Sequence, residues 1–369
     1  MPPDPGGSPS APFVLPALYQ PTPALLSPHA DAAHRHSTAW ARAMGLLDHA
    51  GLWDEARFGS MAIPMLAAYG HPDAGERELE LAADWYVWAC WFDDHFTQAF
   101  TRQGAHRQAK AYLHRLRRFT PPDSPRTPRP SNPAERGLAD LWPRTFAGSS
   151  RGWRRRFAAS TQGLMRGFLR ALENVRDGRA PTPTELAGLR RATGGASWAA
   201  DLVERVIGAE VPVRVVGTQP VTVLRDTFSD GVHLLNDLYS YRREAAEECA
   251  HANEVLGLRR FLGCGAQEAV DRVNELRTSR LRLFEAVALT ELPALVAQSG
   301  LDPAERARIA RYVQGLRDWQ AGACAWHRSS GRYLDPAPEP RVAWRLDVPA
   351  GQASAAPAPS DQGMQRQPL

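Results

Sequence analysis

The sequence predicts an all-α protein, and three observations carry that reading. Apolar residues recur at spacings of three and four through nearly all of residues 33–334, which is the period of one helix face. Alternating β-branched runs are almost absent; Val211 to Val216 is the one strand candidate. Proline, 31 residues in 369, is concentrated at the two ends and in one internal stretch, so the strongest breaks fall between periodic segments.

Taken in order, residues 1–30 hold nine prolines among Gly, Ser and Ala. Such a segment cannot form a helix and reads as a mobile extension. A helical pattern runs from Ala33 to Leu47. Another follows His71-Pro72, with Leu79, Ala82, Trp85, Val87, Trp88 and Phe92 on one apolar face. A basic helix covers Arg107 to Arg118. Six prolines in residues 120–133 make a loop, and Pro133 suits the first turn of the next helix. Further helices are expected over 134–147, 150–177, 183–206, 219–246, 266–290 and 302–328. Residues 335–369, dominated by Pro, Ala, Gln and Ser, read as a disordered tail. No repeat and no composition break interrupts 31–334, so one helical bundle is expected there rather than two domains.

Composition excludes several function classes. A 43% hydrophobic content gives a core large enough to enclose a ligand. The net charge of +4 is spread along the chain, which gives no nucleic-acid arm. No stretch of 18 apolar residues occurs, so neither a span nor stable membrane association is expected. Cys90, Cys249, Cys264 and Cys324 show no paired spacing, and no basic n-region leads an apolar run. A reducing cytoplasm is the expected location. The 44 basic residues include one lysine, Lys110; every candidate anion-binding cation is therefore arginine, the better bidentate phosphate ligand.

Two constellations carry chemistry. The first is Asp93-Asp94, which follows the aromatic run Trp85-Tyr86-Val87-Trp88-Ala89-Cys90-Trp91-Phe92. Paired acids at a helix end are normally solvated; acids beside an aromatic wall also suit a metal at a cavity mouth. The second is Asn236, Ser240 and Glu244. Their i, i+4, i+8 spacing places them within about 80° of arc over roughly 12 Å of helix. A polar helix face and a hard-oxygen Mg²⁺ site both fit an amide, a hydroxyl and a carboxylate so arranged. Arg243 adds a cation beside Glu244.

Together, FDDHF at 92–96 and NDLYSYRRE at 236–244 resemble the motifs of class I terpene cyclases. RRATGGASW at 190–198 and SSGRYLDP at 329–336 extend the likeness toward bacterial germacradienol/geosmin synthases. The resemblance spans about residues 12–335. It implies a single class I terpenoid synthase helical bundle around a central active-site cavity, and three Mg²⁺ ions per site. By resemblance Asp93 is a Mg²⁺ ligand, Asp94 anchors the acidic motif, and Asn236, Ser240 and Glu244 chelate together. Arg190, rather than the adjacent Arg191, is the expected diphosphate sensor. Arg243, Arg332 and Tyr333 are expected to bind diphosphate, and Thr193-Gly194-Gly195 to break a helix. Trp88, Phe92, Trp198, Phe228, Trp319 and Trp326 are the candidate cavity aromatics. The histidines His71, His95, His233 and His327 receive no role.

The implied activity is Mg²⁺-dependent ionisation and cyclisation of farnesyl diphosphate to germacradienol, with germacrene D as by-product, by a monomer or homodimer. Geosmin synthases carry a second, cyclase-like domain; none is expected in the residues after Tyr333. Two departures stand out. Thr97 and Gln98 occupy the place of the motif's outer acid, and Cys90 stands where an aromatic is usual. They motivate two alternatives: a cyclase with another sesquiterpene or a monoterpene-type product, and a non-catalytic helical scaffold. A chain-elongating prenyltransferase is disfavoured, because its second motif is aspartate-rich.

Overall fold

The computed structural model describes residues 13–47, 51–193, 195–245 and 252–334. They form α1 (Ala30–Met44), α2 (Glu55–Met61), α3 (Ile63–Gly70), α4 (Glu76–Phe96) and α5 (His106–Leu116). These are followed by α6 (Pro133–Phe146), α7 (Arg151–Arg176), α8 (Pro183–Thr193), α9 (Ala196–Val206) and α10 (Gln219–Ala245). The series ends with α11 (Glu254–Leu262), α12 (Ala266–Leu289), α13 (Glu291–Gln298), α14 (Pro303–Ser329) and α15 (Gly331–Leu334). The described residues contain no strand, and no helix among them is long and apolar enough to cross a membrane.

Local chemistry explains the helix starts. Asp54, Asn132, Ser150 and Asp302 each accept a hydrogen bond from the backbone N–H three residues on, opening α2, α6, α7 and α14. Each bond satisfies a donor that the first helical turn leaves without a partner. Pro133 and Pro303 occupy first-turn positions that need no N–H.

Four expectations change. The strand candidate is a turn: the Pro212 carbonyl accepts from Val215 (3.0 Å) and Val216 (3.1 Å), since proline presets a turn and cannot donate to a ladder. The single helix over 183–206 is two helices, α8 and α9. Gly195 separates them with a left-handed φ of +73° that glycine alone adopts freely; Gly194 lies outside the described residues. The short helices α2, α3, α11 and α13 were not expected, because seven to nine residues scarcely complete a periodic face. Finally, residues 13–29 of the proline-rich extension are not free. They are non-helical, as proline requires, but residues 13–20 lie as a strap on α10 and α12, and the Ser27 N–H donates to the Ala68 carbonyl of α3 at 3.0 Å. Val14 exchanges two hydrogen bonds with Gln267, and Arg277 donates to the Tyr19 carbonyl at 2.8 Å. Phe13 packs edge-on to Tyr241 and under Arg242. Residues 1–12 and 335–369 lie outside the described residues.

Helix α4 occupies the centre. Its buried Leu79, Ala82, Trp85, Tyr86 and Trp88 pack against α1, α3, α6 and α9. The indoles are held by polar as well as apolar contacts: Trp85 donates to Thr145 (2.8 Å), Trp88 to the Ala134 carbonyl (3.0 Å) and Trp153 to the Asp201 carbonyl (2.9 Å). Satisfying each indole N–H lets large rings be buried without an orphaned donor. Close backbone approach needs glycine where α14 crosses α3. A Cβ on Gly322 would lie 2.5 Å from the Tyr69 carbonyl carbon. The outcome is a cavity bounded by α4, α7, α8, α9, α10 and α14, with Arg332 and Tyr333 of α15 on its lining.

Candidate active site

The cavity has a volume of about 310 Å³. One end is apolar, lined by Leu164, Phe168, Trp198, Ala199, Val232 and Trp319. The other is charged: Asp93, Asp94, Arg190, Asn236, Arg243, Glu244, Arg332 and Tyr333 all line it. Four separate stretches, α4, α8, α10 and α15, thus deliver most of the sequence-predicted residues to one mouth.

The acidic motif is clamped from α15. Arg332 donates to both oxygens of Asp94 (2.7 and 2.9 Å) and to Asp93 (3.3 Å). Trp53 also donates to Asp94, at 2.9 Å, and Arg57 approaches to 3.9 Å. The two aspartates consequently differ. Burial pushes the Asp94 carboxyl up, but Arg332, by charge and hydrogen bond, with Arg243 and Trp53, holds it well below the usual carboxylate range. For Asp93, set within the cavity, desolvation prevails over Arg332 and, with the neighbouring Asp94 charge, raises the pKa. Asp94 is the more tightly held of the two, and Asp93 is the more exposed, with 47% of its side chain accessible.

The α10 constellation is organised by residues around it. The Asn236 carbonyl oxygen accepts from Arg190 (3.1 Å), and its amide donates to the Tyr333 hydroxyl (2.9 Å). Arg190 also pairs with the fully buried Asp237. Burial opposes the Arg190 charge, yet Asp237, Glu244 and Asp93 outweigh it and raise its pKa. Burial likewise pushes the Asp237 carboxyl up, to about 7, against the pull of Arg190. Glu244 lies 3.6 Å from Arg243. Ser240 shares the helix face but is fully buried and does not reach the cavity surface; Asn253 donates to its hydroxyl at 3.3 Å. Asn236, Glu244 and Asp93 offer oxygen ligands at the cavity, and the Ser240 hydroxyl lies buried between Asn236 and Glu244 on α10. An amide carbonyl, a hydroxyl and carboxylates suit a hard divalent cation such as Mg²⁺, so the residues fit that ion.

Arg190 and Arg191 point in different directions. Arg190 lines the cavity, whereas Arg191 turns outward into a two-pronged bond with Asp230 (2.6 and 2.7 Å).

Of the six candidate cavity aromatics, Trp198, Trp319 and Trp326 line the cavity. Phe92 and Phe228 stand one ring behind it, and Trp88 two. Trp88 is turned toward α6 by its bond to Ala134, where Gly137 leaves room. Phe92 stacks on Trp88 and edges onto Phe168, and Phe228 edges onto Trp319. Tyr86 and Phe168 line the wall instead, although the helical periodicity of α7 marks Phe168 only as core. Cys90 also lines it, and burial pushes its thiol up to about 12, leaving it neutral.

Two histidines given no role, His233 and His327, reach the cavity. The His327 Nδ1 lies 2.7 Å from the Ala323 carbonyl. A carbonyl only accepts, so Nδ1 carries the proton; burial holds the ring pKa down at about 4, and the ring is neutral. Sequence reasoning also passed over Trp53, Arg57, Asp237 and Asn253. Asp237 sits inside the 236–244 motif. Asn253 carries an N-cap signal, an asparagine directly before Glu-Val-Leu. Trp53 and Arg57 carry no signal in the sequence.

Residues 84–282 match the model of terpene synthase family 2, C-terminal metal binding. Pristinol synthase of Streptomyces pristinaespiralis is 30% identical over 321 residues, covering 86% of this chain and 84% of that protein. Pentalenene synthase of Streptomyces exfoliatus is 31% identical over 327 residues, covering 86% and 92%. Germacradien-4-ol synthase from Streptomyces citricolor superposes with a TM-score of 0.74 at 27% identity, over 85% of this chain and 98% of that one. With an all-helical bundle, an oxygen-donor constellation on α10 and an acidic pair facing it, the chain belongs to terpene synthase family 2, the class I terpene synthases acting on prenyl diphosphates.

Proposed function

We propose that the protein is a Mg²⁺-dependent sesquiterpene cyclase that ionises farnesyl diphosphate and closes the ring within its aromatic cavity. One observation carries the reading: acids, arginines and oxygen donors from four distant stretches converge on the mouth of a largely apolar cavity. Asp93 on one side and Asn236, Ser240 and Glu244 on the other would hold the metal, with three ions the expected number. Bound there, Mg²⁺ supplies positive charge that neutralises the departing diphosphate. Arg190, Arg243, Arg332 and Tyr333 bind and orient that group. Preorganised charge of this kind is the main catalytic contribution to such a departure. Trp198, Trp319 and Trp326 present ring faces to the allylic cation, each contact contributing about 0.5–2 kcal/mol. The apolar end keeps bulk water from quenching it.

For the product, germacradienol with germacrene D as by-product is the assignment that the motif resemblance favours. It rests on that resemblance alone, since the relatives above bear other product names. A different sesquiterpene is therefore the second reading. It gains support from Cys90, which takes a wall position that an aromatic would fill. Incubation with Mg²⁺ and C10, C15 or C20 prenyl diphosphates, followed by gas chromatography with mass detection, tests both. Turnover of the C15 substrate alone, without isopentenyl diphosphate, is expected, with germacradienol as the main peak. Another C15 product would replace the product assignment. Absence of Mg²⁺-dependent diphosphate release would overturn the cyclase reading in favour of a non-catalytic scaffold, the alternative that Thr97 and Gln98 motivate. Asn236→Ala and Glu244→Ala should each abolish turnover.

A further inference from the structure

Asn253 is fully buried at the junction of α10 and α11, and both ends of its side chain are engaged. Its carbonyl oxygen accepts from the backbone of Val255 (2.9 Å) and Leu256 (3.4 Å), capping α11. Its amide nitrogen faces three oxygens of α10: the Asp237 carbonyl (3.0 Å), the Ser240 hydroxyl (3.3 Å) and a Glu244 carboxylate oxygen (3.1 Å). The orientation of the amide is dictated by these neighbours. Backbone N–H groups on one side demand an acceptor; a carbonyl and a carboxylate on the other demand a donor. Beside it the Glu254 backbone donates to the Asp237 carboxylate at 2.9 Å, and Asp237 in turn holds Arg190. The start of α11 is therefore fastened to the face of α10 that carries Asn236, Ser240 and Glu244.

We infer that Asn253 is a positioning residue for the metal site. Its amide holds Ser240 and Glu244 in the arrangement that receives the cation, and its carbonyl ties that arrangement to the start of α11. This rests on the metal-site reading above and adds a residue that touches no metal, diphosphate or hydrocarbon. Without the amide, the Glu244 carboxylate would be free to swing toward Arg243, 3.6 Å away. Ser240 would keep its place in the helix but lose the donor that orients its lone pairs. Each incoming cation would then have to order both ligands.

Asn253→Ser separates the two functions of the side chain. Serine caps a helix about as well as asparagine but is too short to span to Ser240 and Glu244. Magnesium binding is measured by titration calorimetry on the full-length protein in the presence of inorganic diphosphate, with thermal unfolding and Mg²⁺-dependent kinetics on the same samples. The expected result is a loss of about tenfold to a hundredfold in Mg²⁺ affinity, the usual effect of removing a residue that orients metal ligands. Thermal unfolding should stay close to wild type, and kcat should return to within about twofold at saturating Mg²⁺, as loss of ligand positioning requires. Wild-type Mg²⁺ affinity in the variant would overturn the inference. So would a kcat loss that excess Mg²⁺ does not restore, accompanied by a lower unfolding temperature, since that is the mark of a structural role. If the wild-type protein itself binds no Mg²⁺ with diphosphate, the metal-site reading fails first and takes the inference with it.

Discussion

Arg332→Ala opens the clamp on the acidic motif, and the structure sets the size of the effect. The guanidinium makes three hydrogen bonds to Asp93 and Asp94 with only 6% of its side chain exposed, and Asp94 is 11% exposed. Removing one partner of a buried pair costs about 3–5 kcal/mol, because the other charge is left uncompensated. Two features place this case near the lower bound. Asp94 keeps the Trp53 donor at 2.9 Å and Arg57 at 3.9 Å, and water can reach Asp93. A loss of about 3 kcal/mol is expected, read as a lower urea midpoint at pH 7 with an unchanged slope. A cycle with Asp94→Asn isolates the pair and should give a coupling of about 2 kcal/mol. The sign with pH follows from the depressed Asp94 pKa. Its contribution is present above the ordinary carboxylate value and is lost as pH falls through the folded one, so Arg332→Ala should weaken this acid dependence. A cost below about 1 kcal/mol, or effects of the two substitutions that add within about 0.5 kcal/mol, would refute the reasoning.

Arg190→Lys should lower kcat/KM by about a hundredfold, since one Arg190 Nη nitrogen serves both Asn236 and Asp237 and lysine lacks the further donors of the planar guanidinium. Arg191→Lys, on a residue already committed to Asp230, should change kcat/KM less than about threefold; steady-state diphosphate release compares them. Burial holds the His71 imidazole down at about 3, against 6.5 ordinarily. A neutral buried histidine makes the fold lose stability as pH falls below 6.5, by about 1.4 kcal/mol per unit; His71→Gln should reduce the slope between pH 6 and 4 by that amount in urea titrations. Gly322→Ala drives a Cβ to within 2.6 Å of the Gly70 backbone nitrogen and should cost about 1–3 kcal/mol. Gly188→Ala, in open space within α8, should stabilise by about 0.5–1 kcal/mol; calorimetric unfolding reads both.

Much of the architecture is local and therefore readable from the residues. The period-3.6 pattern placed the long helices α4, α7, α10, α12 and α14 within a few residues of where they lie. Capping side chains at Asn132, Ser150 and Asp302 mark starts because a cap needs only its own next turn. The stacking of Asn236, Ser240 and Glu244 on one face of α10 is likewise a consequence of helix geometry alone.

What depends on neighbours across the fold was not readable. Sequence favours Arg190 over the adjacent Arg191 but shows neither side chain's partner; the position of α10 sets those, pairing Arg190 with Asp237 and Arg191 with Asp230. It named six aromatics, yet which ring faces the cavity depends on what packs behind it, as Ala134 and Gly137 do for Trp88. Proline content predicts a free extension over the first thirty residues, whereas Arg277, 258 positions beyond Tyr19, binds that carbonyl. Asn253 shows the division within one side chain. Its cap on α11 is local and carries a signal in the sequence. Its hold on Ser240 and Glu244 exists only because α11 folds back onto α10. Periodicity and capping are set within a turn or two of chain, while side-chain partners across elements are set by packing, which only the assembled fold decides.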